Sequence, residues 1–447
     1  MDLADLFLLF VGALLAVFWW RYCGSNAGGG GGGEKTKSLP PGPRGAPPVH
    51  IRCPGSPSQV RPHLQHEDGP ANLIIVTSSE LIHEALVQRG HLFASRPADS
   101  PTRLLFSVGK CTVNSAFYGP LWRALRRNFV SEIVSPAKNH LVRLRREQQD
   151  KGSVQVMDNC RLTICSILVC ICFGARVAES LVQQIEAVLK EVMMMSTLKL
   201  PDFLPALTPL FRGQLTAARN SASASSRCSH RCKYTGEAEM VSPIGGAYID
   251  SLFVLNPAGR GRLGEDELVT LCSEVMSAGT DTSATALEWA LLHMKITETE
   301  VEKMPYLTAV VKETLRRHPP SHFVLSHAAT EDTELGGYRV PAGANVEFYT
   351  AWLTENPEMW EDPGRDGWET DVTGMRGVRM MPFGVGRRIC PAASLGTLHV
   401  QMMLARMVRE FRWVSVPGEG PPDPEETFAF TVVMKEPLRA AIVERKY

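Results

Sequence analysis

The chain has 447 residues, 44% of them apolar, and carries no net formal charge at pH 7. That composition is globular and large enough for a sizeable core, and the neutral balance argues against nucleic acid as a partner. The 11 cysteines are an odd number without paired spacing, which suits a reducing compartment better than a secreted disulfide framework.

Leu6 to Trp20 is an apolar run without charge, extended by Tyr22 and Cys23. Asp2 and Asp5 precede it, and Arg21, Lys35, Lys37 and Arg44 follow. The sequence therefore predicts an uncleaved membrane anchor over residues 1–23, with the bulk of the chain on the cytosolic side. A cleaved signal peptide is the rival. It lacks a basic leading region here, and bulky Phe18, Trp19 and Trp20 stand where small residues belong. Residues 24–48 read as a linker, flexible at Gly28 to Gly33 and stiffened by Pro40, Pro41 and Pro43. Residues 49–447 form the body.

In the body, Leu73 to Val76 reads as a short buried strand, and Thr77 and Ser78 as caps for a following helix with Leu81, Ile82, Ala85 and Leu86 on its apolar face. Helical periodicity then dominates: Trp122 to Val130, Val154 to Phe173, Leu181 to Met195, Glu265 to Met294, Val301 to Arg317 and Ser394 to Trp413. Short strands are expected within Tyr338 to Phe348 and Phe428 to Val433. The fold class is mainly α with small β-sheets. Cys160, Cys165, Cys170 and Cys172 lie in an apolar run and read as reduced core residues. Cys228, His230 and Cys232 match no strong zinc spacing.

The stretch richest in chemistry is Phe383-Gly384-Val385-Gly386-Arg387-Arg388-Ile389-Cys390, followed by Pro391 and an apolar helical pattern. Its glycines permit a tight turn and close backbone approach to a flat ligand. A thiol beside two arginines and a helix N-terminus is expected to have a lowered pKa. Such a thiolate can serve as the axial ligand of a haem iron, although a lone cysteine in such a loop is also compatible with a small buried residue. Upstream, Asp281 and Thr282 put an acid and a hydroxyl into an apolar helix, beside Gly279, where a ligand can approach. The plainer reading is that Thr280 and Thr282 bond to the preceding turn. Glu313 and Arg316, three apart, share a helix face, as do Trp122 and Arg126, four apart. The latter pair offers an indole N–H and a guanidinium to an anion.

The cysteine stretch resembles the haem-binding signature of the cytochrome P450 enzymes, with Ala392 in place of its final glycine. The other three motifs follow the family's order. The resemblance implies a cytochrome P450 fold and haem b, with Cys390 as metal ligand and Phe383 and Gly386 in the haem loop. Trp122, Arg126, Arg388 and, on a weaker signal, His327 would bind haem carboxylates. Thr282 and Asp281 would serve oxygen activation and proton relay, and Glu313 and Arg316 structural support behind the haem. The implied partners are O2, a lipophilic small-molecule substrate, NADPH-cytochrome P450 reductase and the endoplasmic reticulum membrane. Phe93 to Pro97, Asn114 to Asn128, Pro201 to Pro205, Leu268 to Glu288, Met380 to Pro391 and Leu404 to Phe411 are closest to plant family 77, which implies fatty-acid hydroxylation or epoxidation. Phe106, Phe117, Phe323, Val324 and Phe430 are apolar candidates for the pocket.

The chain also departs from that family. No first helix or strand is recognisable between Pro43 and Asn72, residues 215–240 are rich in Ser, Ala, Arg and Cys, and little separates Met294 from Val301. The family's third supporting residue, an arginine in a Pro-x-Arg-Phe segment, has no counterpart from Asn356 to Gly374, where Arg365 has the wrong context. An impaired haem-binding remnant is therefore the alternative to a monooxygenase. A haem-thiolate isomerase or dehydratase is a third reading, and the presence of both Asp281 and Thr282 speaks against it.

Overall fold

The computed structural model describes residues 63–66, 73–97, 110–131, 140–174, 177–195, 247–257, 261–293, 304–356, 359–360, 372–373, 377–429 and 431–445. The anchor and linker expected over residues 1–48 lie outside these. So do Phe106, Cys228, His230, Cys232, Arg365, Phe430 and the 215–240 stretch.

Two hydrophobic cores organise the body. The smaller forms on a four-stranded sheet in the order β1 (His63–His66), β2 (Leu73–Val76), β7 (Asn345–Phe348), β4 (His327–Ala328). β2 runs parallel to β7, with Leu73 opposite Asn345, and the other pairings are antiparallel. β1 corrects the expectation that no first strand exists before Asn72: backbone pairing with β2 defines it, although its His-Leu-Gln-His sequence carries little hydrophobic signal. Between these strands in sequence come β3 (Val154–Gln155) and the β5 (Thr333–Leu335) and β6 (Tyr338–Val340) hairpin. Ser78 caps α1 (Ser79–His83) as expected, accepting from the Leu81 N–H. The chain then widens into a π-turn over Glu84–Gln88, and Ile82, Ala85 and Leu86 pack into this core.

The larger core is helical. α2 (Pro120–Ser131), α4 (Val156–Phe173), α5 (Glu179–Met195), α6 (Tyr248–Val254), α7 (Glu265–His293), α8 (Met304–Arg317) and α10 (Ala393–Glu410) contribute to it. α3 (His140–Lys151) and α9 (Thr350–Glu355) complete the helices of the described residues. The helix expected from Val154 starts two residues later, because Val154 and Gln155 pair with β11 (Arg439–Glu444). The helix expected to reach Trp413 ends at Glu410, where β8 (Phe411–Val414) pairs with β11. Strand structure is present within Phe428 to Val433 as expected, in a hairpin of β9 (Glu426–Ala429) and β10 (Thr431–Met434) that extends beyond it at both ends.

α7 organises the helical layer. Glu265, Asp266 and Glu267 complement the positive end of its dipole, and the Glu267 carboxylate accepts the Gly264 N–H at 3.0 Å. The helix packs lengthwise on α4, and that packing explains Gly279. A Cβ there would lie 2.8 Å from Leu168 Cδ1, so the missing side chain admits a neighbouring helix. This corrects the expectation that Gly279 makes room for a ligand. α4 is also the one helix among the described residues long and apolar enough to cross a membrane. With 78% of that span buried inside the body, it is a core helix.

A polar cluster closes the far end of α7. Trp289 lies flat on His318 with ring centroids 3.9 Å apart. His318 meets His293 at 2.9 Å between Nε2 atoms and Glu426 at 2.6 Å. Burial, then His318 and Arg317, push His293 down to about 4. Burial acts to raise Glu426, but hydrogen bonds from His318 and His322 hold it at about 2. The unfolded chain protonates His293 near 6.5 whereas the fold resists until about 4, so stability drains away as pH falls through that window. The stabilisation from Glu426, complete above 4.5, is lost as pH falls through about 2. In thermal melts, His293→Gln should therefore lose less midpoint temperature than wild type as pH falls from 6.5 to about 4.

Candidate haem-thiolate site

The cysteine-bearing loop joins the two cores. Phe383 packs against the helical core and Val385 belongs to the sheet core. Gly384 and Gly386 take left-handed φ of 69° and 74°, and the second opens a tight turn over Gly386–Arg388. Space demands glycine at Gly386 as well, since a Cβ there would lie 1.9 Å from the Leu86 carbonyl oxygen in the π-turn. The Cys390 N–H then donates to the Phe383 carbonyl at 2.8 Å, which closes the loop and leaves the thiol half-buried just before α10.

Burial pushes the Cys390 thiol up, and the Ala392 N–H and Arg126 pull it down without overcoming that push. The sequence had suggested the opposite net direction. Proximity of cations was legible there, whereas the desolvation of a thiol between two cores was not. A metal bound to the sulfur would displace the thiol proton directly.

Cations surround the loop. Arg126 donates to the Ile389 carbonyl beside Cys390. Arg388 donates from all three nitrogens to the carbonyls of Ala94, Val113 and Ala116, and its guanidinium lies 4.5 Å from the centre of the Trp122 ring. Burial, then Arg126, lower Arg388 to about 10, so it stays charged at neutral pH. Trp122 is buried, with its ring tilted at 50° and 5.3 Å from that of Tyr118, whose hydroxyl accepts from Arg387.

A second tier holds these segments together. Buried Arg96 donates to the carbonyls of Asn114, Leu325 and Ser326 at 3.0, 2.9 and 2.7 Å. His327 donates through Nδ1 to the Phe93 carbonyl at 2.7 Å. Burial, then Arg96, push it to about 3, so it is neutral. Glu274 on α7 accepts the N–H groups of Val113 and Asn114 at 2.9 and 2.7 Å. Sequence reasoning assigned no role to Arg96 or Glu274. Arg96 stood within the Phe93 to Pro97 stretch, but Glu274 carried no local signal, because its partners are 160 residues away.

On α7, both threonines follow the plainer reading. Thr280 Oγ1 donates to the Met276 carbonyl at 2.7 Å and Thr282 Oγ1 to the Ala278 carbonyl at 2.8 Å. Ala278 is nevertheless exposed and Thr282 half-exposed, one turn apart on a helix otherwise largely buried at this level. Asp281 points elsewhere, into a buried ion pair with Arg161 of α4 at 2.6 Å. Arg161→Leu would leave that carboxylate buried without its partner. We expect a loss of about 3–5 kcal/mol in denaturant unfolding.

Behind the loop, Arg316 grips Glu313 with two nitrogens at 2.8 and 2.6 Å and donates a third bond to the Thr354 carbonyl at 2.5 Å. The expected pair is thus present and only 2% of the Arg316 side chain is exposed.

The cytochrome P450 family model matches residues 58–295 and 293–442. The chain belongs to the cytochrome P450 family. It is 31% identical to cytochrome P450 89A9 of Arabidopsis thaliana over 83% of this chain and 84% of that protein. It is 27% identical to cytochrome P450 98A2 of Glycine max over 91% and 92% of the two chains. A solved zebrafish cytochrome P450, crystallised with progesterone, superposes with a TM-score of 0.70 at 20% identity, covering 87% of this chain and 97% of that one, which establishes the fold.

For this cytochrome P450 the residues fit the family's prosthetic group, haem b. Among the described residues no three His, Cys, Asp or Glu side chains are grouped to hold a bare metal ion. A lone thiol instead suits a metal already coordinated by a macrocycle. Cys390 would hold the iron, and Trp122, Arg126 and Arg388 surround the loop with the cationic and N–H groups that haem carboxylates require.

Proposed function

We propose that this protein is a haem-dependent monooxygenase that inserts one atom of O2 into a lipophilic substrate, a fatty acid, by hydroxylation or epoxidation. Electrons come from NADPH-cytochrome P450 reductase, and residues 1–23 anchor the chain in the endoplasmic reticulum membrane with the body in the cytosol. The observation that carries this reading is the Cys390 loop, folded by Gly386 against Leu86 and flanked by Arg126.

Bound haem supplies oxygen activation through its iron and thiolate. The protein's residues supply the rest. Thr282 would turn its hydroxyl from the Ala278 carbonyl toward the exposed face of α7 and hold a proton there. Asp281 would join the relay by releasing Arg161, taking a proton from water and passing it to Thr282. Apolar surface suits the substrate class: Phe117 and Leu325 are 63% and 56% exposed on segments that Arg96 ties together. The fatty-acid assignment rests on the likeness to family 77.

An impaired remnant is the second reading, favoured by the missing Pro-x-Arg-Phe segment. A reduced, carbon-monoxide-treated absorption spectrum shows whether a thiolate holds haem at all. Absence of the thiolate-type Soret band from the full chain supports an unstable remnant, and a band without reductase-dependent turnover supports a haem-bound but inert one. Reductase- and NADPH-dependent oxygen consumption on adding a fatty acid then tests the substrate. Consumption without oxygenated product would defeat the fatty-acid assignment.

A further inference from the structure

Trp360 is 1% exposed, and two guanidiniums lie over its ring: Arg316 at 4.8 Å and Arg379 at 4.4 Å from the ring centre. Its indole N–H donates to the Leu353 carbonyl at 2.8 Å, and Arg379 donates to the Met359 carbonyl next to it. The arrangement sits where the two cores meet. Trp360 and Met380 belong to the helical core, Leu353, Val378 and Met381 to the sheet core, and Met359 packs against both. Arg379 itself is exposed and covers the ring from the solvent side, whereas Arg316 is enclosed and neutralised by Glu313.

Consequently the Glu313–Arg316 pair, through its buried arginine, reaches the cysteine loop by way of one aromatic ring. Arg379 lies four residues before Phe383, whose carbonyl receives the Cys390 N–H. We propose that Arg379, stacked on Trp360, is the positioning residue that ties the Glu313–Arg316 pair to the start of the Cys390 loop, replacing the arginine of the absent Pro-x-Arg-Phe segment. A planar guanidinium suits the role because it stacks on an indole while still donating to a carbonyl. Lysine offers a point charge without the flat contact.

The inference rests on the haem-thiolate reading for its consequence but not for its geometry, and the test keeps the two apart. Amide hydrogen exchange across residues 383–390 is measured on the full chain as wild type, Arg379→Ala, Arg379→Lys, Trp360→Phe, Trp360→Leu and the double variant Arg379→Ala with Trp360→Leu. Arg379→Ala should speed exchange at Cys390 about tenfold, the equivalent of losing one cation–π contact and one hydrogen bond. Exchange in the remote β5–β6 hairpin should be unchanged. Trp360→Phe, which keeps a flat ring, should stay near wild type, and Arg379→Lys should fall between. The double variant should exceed Trp360→Leu alone by much less than tenfold, since the contact is already gone. In haem-loaded protein, Arg379→Ala should also raise the fraction of carbon monoxide complex showing a protonated-thiol band.

Unchanged exchange at Cys390 in Arg379→Ala overturns the proposal. So does a double variant whose effect is the product of its singles, or a rise spread equally over the β5–β6 hairpin. If Trp360→Leu does not fold, Arg379→Ala compared with Arg379→Lys and Trp360→Phe still decides it. A wild type without a thiolate band defeats the haem reading and leaves the exchange result standing on its own.

Discussion

Cys390→Ser removes the thiolate-type Soret band of the reduced carbon monoxide complex and, with it, all oxygen-dependent product formation. Serine is close to cysteine in shape and keeps the backbone bond from residue 390 to the Phe383 carbonyl, so the loop should still close. What disappears is the soft, polarisable sulfur that donates electron density to iron; a serine hydroxyl is a much poorer ligand and far harder to deprotonate. The folded body should persist because half-buried Cys390 contributes little to either core. Circular dichroism close to wild type together with a missing band is the expected pair of results. A retained thiolate band would mean that a different cysteine holds the metal. Of the cysteines among the described residues, Cys390 is the one in the glycine loop before α10.

Gly386→Ala should be the most damaging single-methyl addition in the loop. Its left-handed φ of 74° costs an L side chain about 1–2 kcal/mol by itself. The larger penalty is steric, since the new Cβ would meet the Leu86 carbonyl oxygen at 1.9 Å, and neither partner is a flexible side chain. Relief requires moving the π-turn or the cysteine loop, and an overpacked site of this kind costs about 1–3 kcal/mol more. We expect thermal destabilisation together with loss of haem retention, because the segment that must shift carries Cys390. Gly279→Ala is an informative control. Its Cβ would meet the end of the Leu168 side chain at 2.8 Å, which can rotate, so the cost should be smaller and haem retention intact. Equal losses in the two variants would show that the turn at Gly386 has no special role.

Local pattern reveals the parts of this protein that local physics builds. Helical periodicity located α2, α4, α5, α7, α8 and α10 to within a few residues, because burial of one face imposes that period. The Glu313–Arg316 pair was legible because its partners lie three residues apart, and the Cys390 loop because its glycines and cysteine stand together in sequence, whereas the Leu86 carbonyl that Gly386 must clear was not. β1 was missed, as four residues of mixed polarity become a strand only when β2 accepts them. The order of those motifs and their resemblance to the family's own suffice to place this protein among the cytochrome P450 enzymes and to propose Cys390 as its metal ligand. Folding alone decided that Gly279 serves helix packing, that Asp281 is held by Arg161 across 120 residues, and that burial outweighs nearby cations at the thiol. Those outcomes depend on desolvation and on contacts between distant segments, and neither quantity exists until the two cores have closed around the loop.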